Sequence, residues 1–108
     1  MPKYLFEADY SVEGTKGLIK DGGTKRRTAV EAAAKSVGGK MESFYFSFGI
    51  RDAFIVADLP DDVAAAALSL AVSASGAVVL KTTPLITCEQ IDQAAKKTVS
   101  YRAPGATK

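Results

Sequence analysis

The side chains able to do chemistry in this chain fall in a few places. Lys25-Arg26-Arg27 is a basic run near a helix start, suited to anchoring an anionic or carbonyl-bearing ligand. The plainer reading is a solvated helix face. Cations there oppose the helix dipole, which draws attention to the run. Arg51-Asp52 falls at a turn between two strands. Asp52 can accept backbone N–H bonds and hold that turn; a ligand role requires Arg51 to point into a cleft. Tyr4, Tyr10 and Tyr45, with Phe44, Phe46 and Phe48, can line an aromatic pocket between sheet and helices. They serve equally as core and subunit interface. Cys88 starts a helix without a neighbouring base and reads as a small buried residue. Asp61-Asp62 reads as a helix cap, because nothing nearby supplies the further oxygens a hard cation needs.

Histidine is absent. This excludes Cys/His zinc sites, Ser–His and Cys–His catalysis within one chain. The ligand-binding candidates are therefore Arg26, Arg27, Tyr45, Phe46, Arg51 and Asp52, with no metal site and no cofactor expected.

These residues must be positioned by a small fold. The 108 residues fit one domain. We place it at residues 1–97, followed by a loose tail over 98–108. A net charge of +2 argues against nucleic acid or an anionic membrane as the main partner. The lone cysteine excludes an intrachain disulfide, and together with the lack of an apolar leader before residue 3 it points to the cytoplasm. Residues 63–80 are eighteen positions without a charge. Their serines, Gly76 and many alanines fit a buried helix running into a strand better than a membrane span.

Residues 3–12 alternate, with Tyr4, Phe6, Ala8, Tyr10 and Val12 on one side, which predicts a strand broken by Gly14. Residues 15–37 have helical spacing, interrupted at Gly22-Gly23, with Thr24 as a new cap and Gly38-Gly39 as the stop. Arg27–Glu31 and Glu31–Lys35 are spaced to pair. A second strand over 40–48 puts Met41, Ser43, Tyr45 and Ser47 on one row, and Glu42, Phe44, Phe46 and Phe48 on the other. A short turn and a strand over 53–59 complete a hairpin. Asp61 caps a helix running to about Ser75 whose composition is apolar all round, which predicts burial on more than one side. A fourth strand over 77–87 contains Pro84, marking an edge or a strand end. Thr87 and Gln90 form a capping box for a small terminal helix.

The order β-α-β-β-α-β defines an α+β class, an antiparallel ferredoxin-like βαββαβ sheet with helices on one face. The strands are apolar on both sides, so the face away from the helices needs cover. A second copy packed face to face supplies it, giving a homodimer.

The segment Gly38-Gly39-Lys40-Met41-Glu42-Ser43-Phe44-Tyr45-Phe46-Ser47-Phe48-Gly49 resembles the second strand of the GYD-domain family. The family's Gly-x-Tyr-Asp reads Gly49-Ile50-Arg51-Asp52 here, with Arg51 where tyrosine is expected. Pro60-Asp61-Asp62 with the following alanines, Ser75-Gly76-Ala77-Val78, and Lys25-Arg26-Arg27 ahead of Val30-Glu31 are also similar to it. The resemblance covers most of the chain and implies a dimeric α–β barrel. Relatives at the fold level include cofactor-free monooxygenases of polyketide quinones, haem enzymes and stress-response proteins, so the fold does not choose a function.

The expectation is a homo-oligomeric domain that binds a small, partly apolar or aromatic molecule between sheet and helices. One alternative is a cofactor-independent enzyme, monooxygenase- or isomerase-like, relying on Tyr, Asp or Arg. Another is a structural or assembly protein whose residues 98–102 add to a neighbour's sheet edge.

Overall fold

The computed structural model of the protein describes residues 1–106; positions 107–108 at the end of the expected tail lie outside the described residues. The elements are β1 (Lys3–Tyr10), α1 (Val12–Asp21), α2 (Gly23–Ser36), β2 (Lys40–Phe46), β3 (Ala53–Asp58), α3 (Asp62–Ala74), β4 (Val78–Leu85) and α4 (Cys88–Ala95). The strands form one open sheet in the order β2-β3-β1-β4, with every neighbouring pair antiparallel. The described residues form an α+β fold with a four-stranded antiparallel sheet and four helices. No helix among the described residues is long and apolar enough to cross a membrane.

Alternation along β1 divides the sheet into two faces. Tyr4, Phe6 and Ala8 are buried, and they join Ala53, Ile55 and Ala57 of β3 beneath Ala65 and Leu68 of α3. Val30 and Ala33 of α2 pack against the same cluster. Both long helices therefore cover the even-numbered row of β1. Small residues on β3 and α3 let helix and sheet approach closely. Leu59, fully buried just after β3, anchors the exit from the sheet.

The first helical region starts earlier than its glycines imply. Ser11 ends the strand and caps α1 by accepting from the Gly14 amide at 3.1 Å. Val12 thus belongs to the helix, and Gly14 lies inside it. Gly14 is buried, and a Cβ there would collide with the carbonyl of Ala77. Its role is close approach, with no break in the chain. The break comes at Gly22, whose φ of 83° is open to glycine at little strain. Thr24 lies within α2 and does not cap it; Gly22 is the cap residue and provides no side-chain bond. Gly38 closes α2 in the left-handed conformation, its amide donating to the Lys35 carbonyl at 3.0 Å.

β2 departs from strict alternation. Its register slips between Met41 and Ser43, leaving one extra residue opposite β3. A bulge of this kind transfers the rows. Met41 pairs with Ala57, and Phe44 with Ile55, so both face the helices. Ser43 pairs with Val56 and Tyr45 with Phe54, so both face away. The expected single row of Met41, Ser43 and Tyr45 is thus split. The strand ends at Phe46, two residues short of the expected limit.

Asp61 caps α3 as its position implies, accepting from the Ala64 amide at 2.9 Å. Within one chain α3 is buried on one side only. Ala65 and Leu68 are its buried residues, while Val63 and Leu70 lie exposed on the outer side. Uniform apolarity could not reveal which side would be covered. β4 is an edge strand and carries Pro84 near its end, where a missing amide is tolerated. The capping box of Thr87 and Gln90 forms. The helix it starts projects from the body with every residue exposed, Cys88 included, which corrects the expected burial of that thiol. The arm contributes to a long axis of 61 Å against 31 and 22 Å across.

Candidate functional site

A cleft lies between α2, α3 and the helix-covered face of the sheet. Its floor is Phe6, Ala8, Phe44 and Ile55; its walls are Ala29, Val30 and Ala33 of α2 with Leu68 and Val72 of α3. The free volume is about 90 Å³. A second space of about 200 Å³ opens between α1, α2 and the start of β4, and shares Tyr10, Arg26, Ala29 and Val78 with the first. An apolar cavity of ~150 Å³ holds a benzene-sized ring, so the two spaces together are of the right order for a single ring.

Arg26 stands where they meet. It projects from the first turns of α2, and its Nε is buried without a hydrogen-bond partner. Among the described residues, none of the ion pairs involves it. Leaving a buried donor unsatisfied costs about 1–3 kcal/mol, and more for a charged group. The surrounding lining is almost wholly apolar. The first turn of α2 carries no acidic residue. Glu13 and Asp21 border the neighbouring space without pairing with Arg26; Glu13 pairs with Lys16 at 3.7 Å.

Arg27 is exposed on the outer side of α2. The expected pairs Arg27–Glu31 and Glu31–Lys35 are not closed. Arg26 and Arg27 are therefore separated, one at the cleft and one in solvent, because consecutive helical residues point about 100° apart.

Phe46 lies on the helix side at the open end of the sheet. Its ring is 5.0 Å from Phe44 and 6.4 Å from Tyr10, and a Cβ on Gly23 would strike it. Glycine at the start of α2 thus makes room for the ring. Tyr10, Leu18, Phe46 and Phe48 frame a shallow groove of about 450 Å³ there.

Tyr45 and Arg51 are on the opposite face. Tyr45 pairs across from Phe54 and is 71% exposed. Arg51 donates from Nε to Glu7 and from Nη1 to Asp9, each at 3.0 Å. These charge-assisted bonds hold its ionisation firmly, with Glu7 the largest contributor. The guanidinium lies across the odd row of β1, away from the cleft. Asp52 takes the turn-holding role. Its Oδ2 accepts from the Tyr10 amide at 2.9 Å, and its own amide donates to the Ala8 carbonyl at 2.9 Å.

The structure therefore does not gather the six candidates at one place. Arg26 alone reaches the cleft, Phe46 and Asp52 flank the nearby groove, Arg27 faces solvent, and Tyr45 and Arg51 belong to the open sheet face. Tyr10, named among the aromatic side chains able to line a pocket but not among the six candidates, borders all three spaces. Its place at the end of the buried row, beside a helix start, was the available signal.

A polar pair, buried at Tyr4 and exposed at Asp62, lies at the other end of the sheet. The Tyr4 hydroxyl donates to Asp62 Oδ1 at 2.6 Å. That bond, then burial, raises the Tyr4 pKa to about 12.

No curated protein and no solved structure matches the chain. The model of the GYD domain matches residues 4–95, which takes in the sheet except Lys3, the cleft and α4. On that match, the chain belongs to the GYD domain family.

Proposed function

We propose that the protein is a homodimeric small-molecule binding module, holding a small, partly apolar molecule between α2 and the sheet. The observation that carries this reading is the apolar cleft closing on Arg26, a charged group with an unpartnered donor. A sheet face and two helices form the walls, and the residues lining them suit a ring or branched chain. A thermal-shift panel of flat aromatic acids, neutral aromatics and quinones tests it. A ligand at 100 times its Kd adds about 2.7 kcal/mol, several degrees for a domain of this size. A panel in which no compound raises the melting temperature would sink the reading.

The scaffold proposed is ferredoxin-like and dimeric through its open face. The strand order β2-β3-β1-β4 supports the first part. Support for the second is the mixed character of the open face. Tyr45, Phe54, Val79 and Leu85 are exposed there beside the half-buried Leu5 and Val56. Ion pairs flank this apolar band: Lys3 with Glu42 at 2.6 Å and Asp58 at 2.9 Å at one end, Arg51 with Glu7 and Asp9 at the other. A second copy offers the same apolar band and the same rim of paired charges. Light scattering should give twice the chain mass for the native protein and the single mass for Phe54→Lys. A native monomer at micromolar concentration would refute the dimer.

A further inference from the structure

We infer that the molecule bound in the cleft is a monoanionic acid, its carboxylate held by Arg26 and its apolar part directed toward Phe6 and Ile55. This inference rests on the cleft-binding reading and adds the chemical class of the ligand.

Three observations converge on it. Arg26 Nε is buried without a partner within the chain, and a carboxylate oxygen supplies the acceptor it lacks. The guanidinium presents parallel N–H donors, the geometry that matches a carboxylate with two bonds. The space beyond it is lined by Phe6, Ala8, Val30, Ile55 and Leu68, with no other charged side chain. One anionic group at the mouth and a hydrocarbon body inside satisfy both parts.

The surroundings also limit the charge. Glu13 and Asp21 border the adjoining space. They repel a second negative group placed there, which disfavours phosphates and dicarboxylates relative to a single carboxylate. Lys25 borders the same space and Lys16 pairs with Glu13 at 3.7 Å, so Asp21 is the carboxylate that chiefly faces an added negative group. The volume favours one ring over a fused system.

Calorimetric titration of the full chain with benzoate and with benzamide, its neutral analogue of nearly the same shape, tests the inference. Benzoate should bind at least tenfold tighter. Arg26→Met should weaken benzoate far more than benzamide, bringing the two to similar affinity, and phenylphosphonate should bind the native chain more weakly than benzoate at a pH where it is doubly charged. Arg26→Lys, which keeps the charge and loses the paired donors, should fall between native and Arg26→Met; it serves as the readout should the methionine variant fail to fold. Equal affinity for benzoate and benzamide, or benzoate binding that survives both substitutions, overturns the inference and leaves the cleft-binding reading standing. Binding of neither compound, together with an inert thermal-shift panel, removes both.

Discussion

The two faces of β1 are built from neighbouring residues and do opposite work. Tyr4, Phe6 and Ala8 are 2–3% exposed beneath the helices. Leu5, Glu7 and Asp9, one position along, face away and remain half-buried among ion pairs and other strands. One row is closed by the chain itself. The other sets Leu5 between Lys3 and the acidic Glu7 and Asp9, with Lys81 of β4 opposite Glu7, and carries the face on which the second copy is proposed to pack. The difference shows that this chain buries one row of its sheet by itself and leaves the other partly open.

The sharpest way to break this comparison is a pair of truncations. Phe6→Ala should lower stability by about 3–5 kcal/mol in denaturant unfolding, whatever the protein concentration. Leu5→Ala should remove about 1 kcal/mol at the lowest concentrations and more as the concentration rises, because a dimer adds stability by mass action. A Leu5→Ala effect independent of concentration would place that row in permanent contact with water.

Next in size is the cap of a helix on the closed face. Asp61→Ala should destabilise the fold by about 1 kcal/mol, since α3 carries Leu68 into the core. Its melting curve should shift without change of slope.

The Tyr4–Asp62 bond gives an effect confined to alkaline solution. The folded Tyr4 pKa is about 12, against about 10 for an unfolded tyrosine. The stability from this difference is fully present below pH 10. It is lost as the pH rises through 12, where the folded hydroxyl ionises beside the Asp62 carboxylate. Tyr4→Phe should flatten that alkaline decline in urea midpoints measured between pH 9 and 12.

The smallest effect belongs to the arm, which lies on neither face. Thr87→Ala removes the same kind of cap as Asp61→Ala, yet should change global stability by less than about 0.5 kcal/mol in a lone chain, because α4 buries nothing there. Faster amide exchange in residues 88–95, with an unchanged melting temperature, is the expected signature. A large loss would mean that the arm packs against another copy.

Elements with a strong local pattern were legible in the sequence. The period of two in β1 put Tyr4, Phe6 and Ala8 on one row, the row that the helices bury, although Val12 passes into α1. Asp61, Gly38 and the Thr87–Gln90 box were read correctly because caps act within four residues. Where two signals competed, the reading failed. In β2 both rows carry apolar residues, so nothing in the sequence revealed the extra residue between Met41 and Ser43 that transfers the rows. Gly14 read as a breaker, although its purpose is set by Ala77, sixty-three positions away in the chain. The candidate site divided for the same reason. Arg51 looked available at its turn, but Glu7 and Asp9, distant in sequence, claim it.

The amino-acid order by itself determined the kinds of elements, the caps at Asp61, Gly38 and Thr87, and the row shared by Tyr4, Phe6 and Ala8, because those depend on dihedral preference and short-range spacing. The tertiary structure decided which face each functional side chain occupies. It set Arg26 against an apolar cleft without a partner, sent Arg51 and Tyr45 to the far side of the sheet, and left α4 standing free. Contacts between residues far apart in the chain fix those outcomes, and they exist only once the sheet has closed its register.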